Sequence, residues 1–109
     1  MVKKLSTPRA KKRLPPVHPG EILLEEFLKP LEMSMNQLAI ALRVPASRIN
    51  AIFDGERSIS ADTALRLGRY FGISPEFWLN LQATYDLRVA RRELEEQIER
   101  DVRPREKAA

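Results

Sequence analysis

The chain has 109 residues, 43% of them apolar and 31% charged, enough for one domain with a small closed core. It has no cysteine and a single histidine, which excludes a disulfide scaffold, thiolate zinc sites, a cysteine nucleophile and His-rich metal centres; no metal or cofactor is expected. With 19 Lys and Arg against 15 Asp and Glu the net charge is +4, a mild tilt towards an anionic partner.

No apolar run approaches the roughly 20 residues that cross a bilayer, and the basic start has no apolar stretch after it, so it does not read as a secretory signal. A cytoplasmic location is the expectation. The charge is unevenly spread. Residues 1–17 hold Lys3, Lys4, Arg9, Lys11, Lys12 and Arg13 and no acid, so the remaining chain is net −2. Pro8, Pro15 and Pro16 keep this segment from packing as a helix. It reads as a basic flexible arm, either reaching nucleic acid or serving only as a solubilising tail.

Helical periodicity then runs through the chain. From Pro19 to about Leu31, Ile22, Leu23, Phe27, Leu28 and Leu31 form an apolar side opposite Glu21, Glu25, Glu26 and Lys29, and Pro30 kinks or ends the helix. A second helix opens at Ser34, which with Gln37 makes a capping box; Leu38, Ala39 and Leu42 are its buried side. Arg43-Val44-Pro45 breaks the run. The third helix spans about Ala46 to Phe53 with Ile49, Ile52 and Phe53 inward, and Asp54-Gly55 closes it. The fourth runs from Ser60 to Phe71, burying Ala64, Leu65, Leu67 and Phe71, and Gly72 ends it. The fifth opens at Ser74-Pro75. Its first half carries Phe77, Trp78, Leu79, Leu81 and Tyr85, with Phe77 and Trp78 expected in core and dimer packing. From Asp86 on it is mostly charged, with Arg91/Glu95, Arg92/Glu96, Glu96/Arg100 and Glu99/Arg103 four apart. A narrow apolar stripe continues at Leu87, Ala90, Leu94, Ile98 and Val102, and Pro104 bounds the helix. Nothing alternates strictly, so no sheet is expected. The domain reading is a basic arm at 1–17, a helical domain at 18–85 and a charged helical extension and tail at 86–109.

Helices two and three, joined by a three-residue break, form a helix-turn-helix. In such a unit the second helix can lie in a DNA major groove while the first rests across the phosphates. The outward residues of the third helix are Ala46, Ser47, Arg48, Asn50 and Ala51. Ser47 and Asn50 can hydrogen-bond base edges, Arg48 suits guanine or phosphate, and the alanines admit close approach or touch a thymine methyl. Asn36, Gln37, Arg43, Arg57 and Ser58 are placed for phosphates. The same two-helix pattern occurs in all-α domains that bind no DNA. Since the folded part is net −2, a DNA-facing surface requires the acids to be turned away from it. His18 before Pro19 reads as a helix-start residue, and Glu25, Glu26 and Glu32 as a solvated face. There is no Ser/His/Asp or Cys/His set, no glycine-rich phosphate loop and no paired carboxylates at a site, so an enzyme is not expected.

His18-Pro19-Gly20-Glu21, Asn36-Gln37-Leu38-Ala39 and Arg48-Ile49-Asn50-Ala51-Ile52 closely resemble the HigA antitoxin family, also called VapI or plasmid-maintenance antidote, within the Xre/Cro-type repressors. So do the run from Ser60 to Leu67 and, most specifically, Phe71 through Gln82 with its Phe77-Trp78-Leu79-Asn80-Leu81-Gln82. The resemblance covers about residues 17–90. It implies an all-α, five-helix, lambda-repressor-like domain with an extended C-terminal helix. It also implies an antitoxin that neutralises a HigB-like mRNA-cleaving toxin and, as a homodimer, binds operator DNA to repress its own operon. Related repressors read bases at the positions of Ala46, Ser47, Asn50 and Ala51. Two departures weigh on this: Arg43 stands where many relatives have Gly, and alanines occupy two reading positions, which shifts weight to phosphates and DNA shape. A stand-alone Xre-family regulator without a toxin partner is the competing reading.

Overall fold

The computed structural model describes residues 15–106, all-helical among them, in five helices. The arm read at 1–17 lies outside the described residues up to position 14, as does 107–109 of the tail. Helix α1 begins with a turn at Pro19–Ile22, widens into a π-helical stretch at Leu23–Leu28 and finishes at Lys29–Leu31. Then come α2 (Met35–Leu42), α3 (Ala46–Phe53), α4 (Ala61–Phe71) and α5 (Pro75–Asp101).

Each start has its own chemistry. His18 caps α1, its Nδ1 accepting from the Gly20 N–H at 2.9 Å. The capping box of α2 is closed both ways: Gln37 N–H donates to Ser34 Oγ at 3.0 Å, and Ser34 N–H to Gln37 Oε1 at 2.8 Å. Ser60 caps α4 and Ser74 caps α5, where Pro75 takes the first helical turn.

The π-helical stretch has a cause in Pro30. A proline ring presses on the carbonyl four residues back, here Glu26, and offers no N–H in return. Opening the preceding turns by one residue relieves that contact, and the Lys29 N–H reaches back to Leu24 O. The added residue rotates the last turn of α1 out of register. Leu31, expected inward from periodicity, is 59% exposed.

Leu23, Leu28, Leu38, Ile49, Ile52, Leu67 and Trp78 close the core, drawn from all five helices. Around Trp78, Phe27, Phe71 and Phe77 lie at ring-centroid distances of 4.9, 6.2 and 5.0 Å, within the range of favourable tilted and edge contacts. Trp78 is fully buried, whereas Phe77 is the half-exposed edge of the cluster. Leu65 corrects the sequence expectation: it is 61% exposed. The buried side of α4 is Thr63, Ala64, Leu67 and Gly68, and Leu65 falls outside that three-and-four spacing.

Helix α5 is one unbroken rod of 27 residues, about 40 Å long. Its first half packs on α1 and α4. Leu87, Leu94, Ile98 and Val102 stay exposed, and every residue from Arg91 to Arg100 faces solvent. Stepping 100° per residue from Trp78, the Leu87–Ala90–Leu94–Ile98 stripe points away from the side that meets the core. None of the four expected ion pairs on this rod is closed within 4 Å among the described residues. At full exposure their attraction is too weak to hold two long side chains in one geometry.

Candidate nucleic-acid interface

Helix α3 is built to be seen from one side. Ile49 and Ile52 are fully buried, Phe53 half-buried, and Ala46, Ser47 and Asn50 exposed. At 100° per residue, Ala46, Asn50, Ser47 and Ala51 span an arc of about 140°. The arc is short-chained, with Ala51 half-buried at its margin, so a helix could seat closely in a groove. Pro45 precedes α3 and offers no side-chain acceptor. The start of α3 therefore has no side-chain cap, and the Arg48 N–H is satisfied instead by Pro45 O at 3.0 Å.

The phosphate candidates flank this arc. Asn36 and Gln37 are exposed in the first turn of α2. Gln37 uses its Oε1 in the capping box, which leaves its amide N–H groups pointing out. Arg43 occupies the turn with φ +60°, the left-handed conformation that stops α2. A side chain in that conformation costs roughly 1–2 kcal/mol. Arg57 and Ser58 sit exposed in the loop after α3. That loop is held at both ends. Glu56 and Arg57 N–H groups donate to Ala51 O at 2.9 and 3.2 Å, and the Ile59 N–H donates to Gln82 Oε1 at 2.8 Å. Gln82, only 5% exposed, also donates to Asp86 Oδ1 at 2.9 Å.

Arg48 does not join the outward group in this conformation. It lies about 60° beyond the arc, and its Nη1 donates to Asp62 Oδ1 at 3.3 Å and faces Thr63 Oγ1 at 3.5 Å on α4. Three residues that reasoning from the sequence passed over hold this region together: Asp62, Arg66 and Gln82. Arg66 donates through Nε to Asp62 and through Nη1 to Leu42 O at 2.8 Å. The hydrogen bond from Arg66, ahead of the attraction of both guanidiniums, holds the Asp62 carboxyl below the usual carboxylate range.

Glu21, Glu25 and Glu26 lie on α1 and Glu32 caps its end, whereas Asp54 closes α3 itself. His18, beside α5, stacks edge-on against Tyr85 at 4.8 Å. Burial lowers its pKa from the ordinary value, partly offset by Asp86. No described helix is long and apolar enough to cross a membrane.

A tight α2–turn–α3 unit, buried on one side and bare on the other, defines a DNA-binding helix-turn-helix domain of the Xre type. The helix-turn-helix family profile matches residues 24–78. Virulence-associated protein I of Dichelobacter nodosus is 55% identical over 86 residues, 79% of this chain and 80% of that protein. The solved structure of an addiction module antidote protein of the HigA family from Coxiella burnetii matches with a TM-score of 0.80 and 52% identity, covering 84% of this chain and 100% of that one. Pseudomonas aeruginosa antitoxin HigA, solved with the higBA promoter, matches with a TM-score of 0.79 and 49% identity over 82% of this chain and 97% of that one. The chain belongs to the HigA family of helix-turn-helix antitoxins, whose members are DNA-binding regulators rather than enzymes.

Proposed function

We propose that this chain is the antitoxin and autorepressor of a type II toxin–antitoxin module in the cytoplasm. It binds operator DNA upstream of its own operon as a homodimer on an inverted repeat, and it neutralises a HigB-like mRNA-cleaving toxin. The observation that carries the DNA half is the bare arc of α3, with Ser47 and Asn50 exposed beside an uncapped helix start. Ser47 and Asn50 read base edges, with Ala46 and Ala51 close to the bases, while Arg48 is held to α4 by Asp62. Asn36, Gln37, Arg43, Arg57 and Ser58 grip the phosphates on either side and set the register. The related antitoxin solved with its promoter supports this reading. The toxin half is supported by family membership.

Two experiments test the two halves separately. Footprinting on DNA upstream of the chain's own gene should show a protected inverted repeat. Replacing Ser47 and Asn50 together by Ala should cost about 1–3 kcal/mol of discrimination, the worth of one good bidentate base pairing of the kind Asn50 can make, with little change on unrelated DNA. An unchanged footprint removes α3 as the reading helix. Co-expression with the adjacent reading frame should relieve growth arrest caused by that product. Failure of the rescue with an intact footprint leaves a stand-alone regulator.

A further inference from the structure

One carboxylate ties together the three pieces of the DNA-facing unit. Asp62, in the first turn of α4, accepts from Arg48 of α3 at 3.3 Å and from Arg66 of α4. Arg66 in turn donates to the carbonyls that end α2, Leu42 O at 2.8 Å and Arg43 O at 3.5 Å. The end of α2, the body of α3 and the start of α4 therefore share a single polar brace. Arg48 is the only cation on α3. Its side chain is drawn in towards α4, with 21% of it exposed against 53% for Asp62.

We propose that Asp62 is a positioning residue that withholds the Arg48 guanidinium from the duplex, so that α3 approaches DNA through Ser47 and Asn50 rather than through charge. This rests on the DNA-binding reading above. The physical point is the difference between the two kinds of contact. A guanidinium that reaches a phosphate strengthens binding to all sequences alike. The short side chains on the arc reward only matching base edges. Tethering Arg48 removes the indiscriminate contribution while leaving the discriminating one in place. Asp62 adds a negative charge beside the same face, which acts in the same direction. Arg66 completes the device. It keeps Asp62 turned towards α3 and fixes the carbonyls from which the turn departs, so that the brace sets the direction of α3 as well as the place of Arg48.

The test is a salt series. The full chain and its Asp62→Ala variant are titrated on two duplexes, one from upstream of the chain's own gene and one of the same composition in shuffled order. Freeing Arg48 should raise affinity for the shuffled duplex roughly three- to tenfold near physiological salt. The slope of log affinity against log salt should steepen by about one, the signature of one more neutralised phosphate. Affinity for the upstream duplex should rise less, so the ratio between the two falls. Adding Arg48→Ala to Asp62→Ala should abolish the gain. If the gain survives in the double variant, removal of the Asp62 charge explains it and the tether is refuted. If slope and ratio do not change, the tether is likewise refuted. Asp62→Leu, close in size but with neither charge nor acceptor, gives the same readout should the alanine variant fold poorly. A wild-type chain that prefers neither duplex would overturn the DNA-binding reading itself, an outcome separate from failure of the tether.

Discussion

Gly20→Ala probes the seating of α3 on α1. Gly20 is buried in the first turn of α1, and a Cβ placed there would lie 2.4 Å from the carbonyl oxygen of Ile52 and 3.0 Å from Phe53 Cα. Both are backbone atoms of α3 or its end, so no rotamer change can make room. The shortfall against ordinary van der Waals separation exceeds about 1 Å. Overpacking of this kind costs about 1–3 kcal/mol, whereas alanine at an unhindered helical position would stabilise by up to about 1 kcal/mol over glycine. The two effects have opposite sign, which makes the measurement decisive. The net expectation is a loss of about 1–2 kcal/mol, equivalent to a fall in Tm of about 5–15 °C for a domain of this size. Thermal unfolding followed by circular dichroism measures it, and operator affinity should fall with it as α3 is pushed off its bed. An unchanged or raised Tm would show that α1 and α3 are not in contact at this point.

Arg43→Gly should separate stability from binding: relief of the left-handed turn adds about 1 kcal/mol, while loss of the flanking cation lowers the salt slope by about one; a Tm that falls refutes the strain argument. His18 is neutral when it caps α1, and its folded pKa lies below the unfolded value near 6.5. The unfolded chain then binds more protons in the window just below pH 6.5, so stability should rise with pH through that window and level off above about pH 7. His18→Asn, which keeps a capping acceptor, should flatten that rise, and an identical pH profile would dismiss the cap. Gln82→Leu leaves the Ile59 N–H without its acceptor and should cost about 1–3 kcal/mol in denaturant unfolding. A change below about 0.5 kcal/mol would mean the loop after α3 is not held there.

The helices were legible because their signals are local. Ser34 with Gln37, Ser60, Ser74 before Pro75 and the spacing of Leu38, Ala39 and Leu42 each announce an element without knowledge of the rest. The exceptions trace to geometry that a periodic pattern averages away. Leu31 lies beyond a π-helical stretch that shifts its phase, and Leu65 is apolar but sits beside the buried spacing of Thr63, Ala64, Leu67 and Gly68. In the candidate site, the sequence put Ala46, Ser47, Arg48, Asn50 and Ala51 on the outward side of α3. Arg48 is instead drawn to α4, because its partners Asp62 and Thr63 are 14 and 15 residues away in the chain, beyond any local pattern. Gln82, 23 residues from Ile59, was hidden for the same reason.

The far end of α5 has a consequence for how long the protein persists. Its anchored half supplies the costly helical nucleus, so the segment beyond Arg91 coils up readily. Among the described residues, every position from Arg91 to Arg100 is exposed, so its backbone bonds have little cover. Amide protons there exchange through local fraying at a small fraction of the free energy needed to open the body. A protease can therefore engage this helix while the core stays folded, at a cost set by those last turns rather than by the melting temperature of the core.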